Sequence, residues 1–111
     1  MSGFYSLKDN RDFRKVYKYG RSAANSILVI YVLKNPEEEH DRIGISVSKK
    51  VGNSVVRHRI KRQIRETCRL NFSNTSGGHD IVIIVREKCR DKSYREITEA
   101  VYDLYKRTRL I

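Results

Sequence analysis

Residues 42–70, RIGISVSKKVGNSVVRHRIKRQIRETCRL, constrain the fold of this chain more than any other stretch. The spacing predicts a strand over 42–48, a tight connection through Lys49-Lys50-Val51-Gly52-Asn53, and then a helix of about four turns. At about 100° per residue, Val56, Ile60, Ile64 and Cys68 fall on one side of that helix, with Thr67 beside them. Lys61, Arg65, His58, Arg69 and Arg62 fall on the other, Arg57 stands at the border, and only Glu66 interrupts the cations. Surface helices usually mix signs, because opposite charges three or four apart gain a few tenths of a kcal/mol and like charges lose about as much. Cations crowded at that spacing point to a polyanionic partner rather than to a solvated face.

Composition narrows the partner. In 111 residues, 24 Lys and Arg stand against 13 Asp and Glu, a net charge of +11. A chain of this length predicts one domain, and 39% hydrophobic residues suffice for a modest core, which excludes a disordered basic tail. Phosphate is the commonest anion for a small basic domain, so nucleic acid is the expected ligand. No apolar run approaches the roughly 20 residues that span a bilayer, and the amino terminus lacks the pattern of a signal peptide. Cys68 and Cys89 have no metal-binding or redox spacing, so two free thiols in a reducing cytoplasm are expected.

In chain order, residues 7–19 predict a short amphipathic helix with Asp9 or Asn10 as N-cap and Gly20 as its stop. Phe13 and Tyr17 lie one turn apart on it, where plain packing on a sheet is the simpler role. Residues 25–33 are β-branched and apolar on both alternating sets, a strand covered on much of both faces; a further short strand around 21–26 is left open. Residues 35–41 contain the only proline and three glutamates, which predicts a turn that pairs 25–33 with 42–48 as an antiparallel hairpin. After the basic helix, residues 71–79 predict a mobile polar loop, and 80–86, DIVIIVR, a strand central in the sheet. Residues 87–92 turn the chain. Tyr94, Ile97, Val101, Leu104 and Tyr105 then recur at three and four, predicting a helix over 93–109. The fold class is α+β, helices over one small sheet.

Familiar catalytic patterns are missing. Gly52-Asn53-Ser54 is no phosphate-binding loop, and Gly44-Ile45-Ser46-Val47-Ser48 lacks the second glycine of a nucleophile elbow. His40, His58 and His79 are dispersed, and Glu37, Glu38 and Glu39 flank a turn rather than converge. Neither a catalytic set nor a metal site is expected in the polypeptide itself.

The run from Gly44 to Arg65, GISVSKKVGNSVVRHRIKRQIR, closely resembles the signature of the bacterial ribonuclease P protein subunit, SVSKK-x-G-N-A-V-x-R-N-R-x-K-R-x-x-R. Leu7, Asp12, Phe13, Val16, Tyr17 and Gly20 resemble that family's first helix, and Tyr31 resembles the aromatic of its first long strand. The similarity runs over essentially the whole chain. Two positions depart: His58 stands where the family motif has Asn, and Ser54 where it has Ala.

This resemblance implies a sheet of about four strands with three helices, in the order αβββαβα, and a left-handed β-α-β crossover. It implies a subunit of a ribonucleoprotein endonuclease that removes the 5′ leader of precursor tRNA, the RNA subunit being the catalyst with Mg²⁺. Lys49, Lys50, Asn53, Arg57, His58, Arg59, Lys61, Arg62, Arg65 and Arg69 would face RNA. Phe13, Tyr17, Tyr31, Ser46 and Ser48 would line a cleft for the single-stranded leader, since stacking and charge tolerate any base sequence. The expected partners are the catalytic RNA and the leader, with no membrane and no obligate protein partner. Charge and fold class alone leave open a non-enzymatic RNA-binding module such as a ribosomal protein.

Overall fold

A computed structural model describes residues 4–72 and 78–111. The elements in order are β1 (Phe4–Ser6), α1 (Asn10–Tyr19), β2 (Arg21–Ala24), β3 (Leu28–Lys34), β4 (Asp41–Val47), α2 (Ser54–Phe72), β5 (His79–Val85), a 3-10 helix (Glu87–Asp91) and α3 (Tyr94–Arg107). Three helices and the αβββαβα core follow the expected order, and the architecture is α+β. Strand β1 is an addition: three residues, too short to show a period, that pair in parallel with Asp41, Arg42 and Ile43.

The sheet runs β1-β4-β5-β3-β2. Strand β5 is central, as its unbroken apolar run requires. It pairs in parallel with β4, in register from Arg42↔Asp80 to Val47↔Val85, and antiparallel with β3. The hairpin expected between β3 and β4 therefore does not form. Strand β5 inserts between them, and the acidic turn bridges its end instead, with the Asn35 N–H donating to the Gly78 carbonyl at 2.6 Å. A turn-rich, charged connection marks a reversal of direction but not which strand becomes the neighbour.

Asn25 places the break that separates β2 from β3. Its Oδ1 accepts from the N–H groups of Ile27 and Leu28 at 3.2 and 2.9 Å, and its Nδ2 reaches Ala100 O and Asp103 on α3. The strand predicted over 25–33 accordingly starts at Leu28 and runs to Lys34. Helix α2 is longer than expected. Asn71 and Phe72 close it, and the Phe72 ring stacks on Tyr105 with centroids 4.0 Å apart. The loop expected over 71–79 otherwise falls largely on residues 73–77, outside the described residues.

Alternation along the strands makes two cores. Leu28, Ile30, Val32, Ile43, Ile45, Ile81, Ile83 and Val85 meet α2 and α3 on one face. On the other, Leu7, Val16 and Val82 form a small cluster with Phe13, Tyr31, Leu33 and Ile84 beneath α1. Asp9 caps α1 by accepting from the Arg11 N–H. Gly20 ends the helix because a Cβ there would lie 2.6 Å from Val16 O and 2.8 Å from Val32 O, where no side chain fits. Ser93 and Glu96 form a capping box at the start of α3.

Candidate nucleic-acid interface

Helix α1 is pinned across the sheet by charge. Arg42 on β4 donates from Nε and Nη2 to the buried Asp80 on β5 at 2.8 and 2.7 Å, and from Nη1 to Asp12 on α1 at 3.4 Å. The hydrogen bonds to Asp80 drive the Arg42 pKa upward, so the guanidinium stays charged at any ordinary pH. Under the next turn, Phe13 lies on Gly44. A Cβ at that glycine would sit 2.4 Å from Phe13 Cζ, so its absence lets the ring rest against the strand.

These contacts hold α1 apart from α2 and leave a groove of about 650 Å³ between them, lined by Asn10, Phe13, Arg14, Tyr17, Ile45, Ser46, Val47 and Lys61. Strand β1 covers β4 only as far as Ile43, so the outer edge of β4 opens into this groove. In a parallel ladder one residue's N–H and C=O point to the same neighbour, and the Leu7 N–H donates to Ile43 O on that side. The main-chain groups of Ile45 and Val47, two and four residues on, point the same way.

Aromatic rings form one flank. Tyr17 and Tyr31 meet edge to face at 5.1 Å, and Phe13 lies 6.3 Å from Tyr17. Tyr31 and Phe13 are half-buried, whereas Tyr17 remains 40% exposed. Partial burial and the nearby Tyr31 push the Tyr17 hydroxyl up, which keeps it a protonated donor at neutral pH. Ser46 opens into the same groove. Ser48 is exposed and lines a separate hollow with Ile84, Arg86 and Lys88.

Helix α2 forms the other flank, and its cations divide between two sides. Lys61 enters the main groove, and with Arg65 it lines an adjoining one with Lys8, Phe13 and Gly44. Arg57 and His58 share a hollow with Lys61 and Val47. Arg59 and Arg62 lie beyond His58, beside Ser54 and Val55. Arg57 Nε is buried without a hydrogen-bond partner among the described residues, an arrangement that favours an incoming acceptor. Lys49 and Lys50 are exposed in the turn before α2. Asn53 caps the helix through Oδ1, which accepts from the Val56 N–H at 3.0 Å. Arg69 is exposed but donates to Glu66 at 2.7 Å. Beneath the ridge, Ile60, Ile64 and Cys68 are fully buried, the anchor that their spacing predicts.

The profile of the family described as Ribonuclease P matches residues 1–109. The chain belongs to the ribonuclease P protein family. It is 50% identical over 105 residues to the ribonuclease P protein component of Alkaliphilus metalliredigens, covering 95% of this chain and 94% of the relative. To that of Lachnoclostridium phytofermentans it is 55% identical over 106 residues, covering 96% and 90%. The solved structure of the Staphylococcus aureus RNase P protein superposes with a TM-score of 0.90 at 40% identity, covering 96% of each chain. The Thermotoga maritima RNase P protein gives 0.81 at 33% identity, covering 92% and 96%. The role is that of a protein subunit of ribonuclease P, a ribonucleoprotein that processes tRNA, and a ribosomal-protein role is not favoured.

Of the residues expected at the leader cleft, Phe13, Tyr17 and Ser46 line the groove, Tyr31 braces Tyr17 from beside it, and Ser48 lies elsewhere. Asn10 and Arg14 were not expected in the groove, nor Lys8 in the adjoining hollow. Placing α1 at 100° per residue would have put Asn10, Arg14 and Tyr17 on one side. Among the described residues, no helix is long and apolar enough to cross a membrane.

Proposed function

We propose that this subunit holds the single-stranded 5′ leader of precursor tRNA in the groove between α1 and α2, while the outer side of α2 docks on the catalytic RNA. The observation that carries this reading is the exposed Tyr17 ring, braced edge-on by Tyr31 and faced across the groove by Lys61. A braced ring with one free face accepts any base, and cations opposite it meet the phosphates between bases. The open β4 edge adds main-chain groups at the same place. Arg57, Arg59 and Arg62, with Lys49 and Lys50, would cover phosphates of the RNA subunit, and His58 can serve as donor or acceptor where the motif has Asn.

Among the described residues, no three His, Cys, Asp or Glu side chains gather as a cation cage. In this reading the RNA subunit activates the attacking water with Mg²⁺, and the polypeptide's part is binding and orientation.

Reconstitution with a bacterial RNase P RNA tests the reading. The protein should restore precursor cleavage at low Mg²⁺, and Tyr17→Ala should weaken precursor binding by about 1–3 kcal/mol with mature tRNA unaffected. Equal weakening for precursor and mature tRNA would refute the cleft assignment.

A further inference from the structure

The cations of this protein are not distributed evenly between paired and unpaired states. Lys92, just before α3, and Arg95 and Arg107 within it each face a carboxylate one turn away, at 3.8, 3.1 and 3.1 Å, and of the α3 cations Lys106 alone makes no ion pair among the described residues. On α1 the two carboxylates of the first turn are engaged elsewhere: Asp9 caps the helix and Asp12 reaches inward to Arg42. Arg11, Arg14, Lys15 and Lys18 are all exposed, and none makes an ion pair among the described residues. At 100° per residue they form one continuous strip, in the angular order Arg14, Lys18, Arg11, Lys15. The strip begins at Arg14 on the lip of the groove and passes over the top of α1 away from the sheet. Four like charges at three- and four-residue spacing disfavour the helix locally, which a merely solvated face would relieve with a glutamate. From Arg11 to Lys18 the strip is about 10 Å long, enough for more than one phosphate.

We infer that the outer strip of α1 is a second RNA track, which carries leader nucleotides upstream of those in the groove. The inference rests on the leader reading of the groove and extends it. Continuity with the lip selects this occupant over the RNA subunit. A strand that leaves the groove past Arg14 meets Lys18 next. Beside the strip stands Tyr19, exposed and with Lys18 Nζ 5.3 Å from its ring, without the braced set of rings that lines the groove, so the strip recognises chiefly phosphate, and its contribution grows with leader length and falls with salt.

The test uses the reconstituted holoenzyme with two precursors, one with a leader of about four nucleotides and one of about twelve. The variant is Arg11→Ala/Lys15→Ala/Lys18→Ala, which spares Arg14 because it lines the groove. Affinity for the long leader should drop about tenfold, and the log–log salt slope for that precursor should flatten by about two units for three lost contacts. Affinity for the short leader should be unchanged, and Arg11→Lys/Lys15→Arg/Lys18→Arg should restore the long-leader value. Equal weakening for both lengths would assign the strip to the RNA subunit or tRNA body and overturn the inference. No weakening for either length would make it a solvated face and overturn it too. Tyr17→Ala run in parallel separates the two readings: if it affects neither length, the groove assignment fails, whatever the strip does.

Discussion

Gly44→Ala isolates the contact that sets the floor of the groove. The added Cβ would fall 2.4 Å from Phe13 Cζ, 2.9 Å from Cε1 and 3.1 Å from Cε2, and these are its three nearest neighbours. A single half-buried side chain must therefore absorb the whole overlap. Overpacking of this kind costs about 1–3 kcal/mol. Against it stands a gain of about 0.5–1 kcal/mol, because alanine loses less backbone freedom than glycine on entering a strand. The net expectation is a loss of about 1–2 kcal/mol by urea denaturation, together with weaker leader binding as the ring is displaced. With Phe13→Ala as background the overlap vanishes, and Gly44→Ala should become stabilising by about 0.5 kcal/mol. The coupling energy is then about 2 kcal/mol, well above the few tenths at which distant sites add. Purely additive effects would refute the steric argument and place the cost in the strand backbone.

Three other perturbations have defined outcomes. Replacing Arg57, Lys61 or Arg65 by Ala should flatten the salt dependence of RNA binding by up to about one unit per lost phosphate contact, and an unchanged slope would mean no phosphate is touched. Asp80→Ala removes the carboxylate that accepts two bonds from Arg42; with Asp12 still 3.4 Å away, the loss should be about 3 kcal/mol, the lower end for a broken buried pair, seen in chemical denaturation. Burial pushes the thiols of Cys68 and Cys89 up to about 11, so both should resist a thiol reagent at pH 8 in the native protein and react together in urea. Since the fold favours the neutral thiols, their contribution to stability is complete below the ordinary thiol pKa and is lost as pH rises towards about 11.

What the sequence disclosed and what it withheld divide along sequence separation. The amphipathic sides of α2, the central place of β5 and the span of α3 all follow from periods read within one segment. The false hairpin came from the same local reasoning, applied to a pairing that depends on a strand about 40 residues further on. Arg42 could be seen only as a charge in a strand, because Asp12 and Asp80 lie 30 and 38 positions away. Likewise Gly44 gave no sign that its missing side chain accommodates a ring from α1. Phe13, Tyr17 and Tyr31 could be joined into one cleft only through the family resemblance, since their residue types suit ordinary packing equally well. Asn53 shows the converse: an exposed polar residue in the motif also has a structural task, closing the first turn of α2.

The two faces of the sheet carry unequal loads, and this bears on how the interface can evolve. The face under α2 and α3 holds most of the buried apolar residues, including Ile60, Ile64, Ile97 and Leu104, all essentially inaccessible. Among the described residues, the apolar cluster buried under α1 is Leu7, Val16 and Val82, supplemented by half-buried rings and the Arg42 bridge. A hydrophobic stabilisation proportional to buried area therefore comes chiefly from the first face. That surplus permits the second face to leave Tyr17 partly exposed, the edge of β4 open and the cations of α1 without ion pairs among the described residues. Each of those features weakens an isolated domain, and each is what a flexible polyanion needs to find. The geometry of α1 thus depends on a few specific contacts, Gly44 with Phe13 and Arg42 with Asp12 and Asp80, rather than on bulk burial. Small changes there should alter the width of the groove well before they unfold the protein.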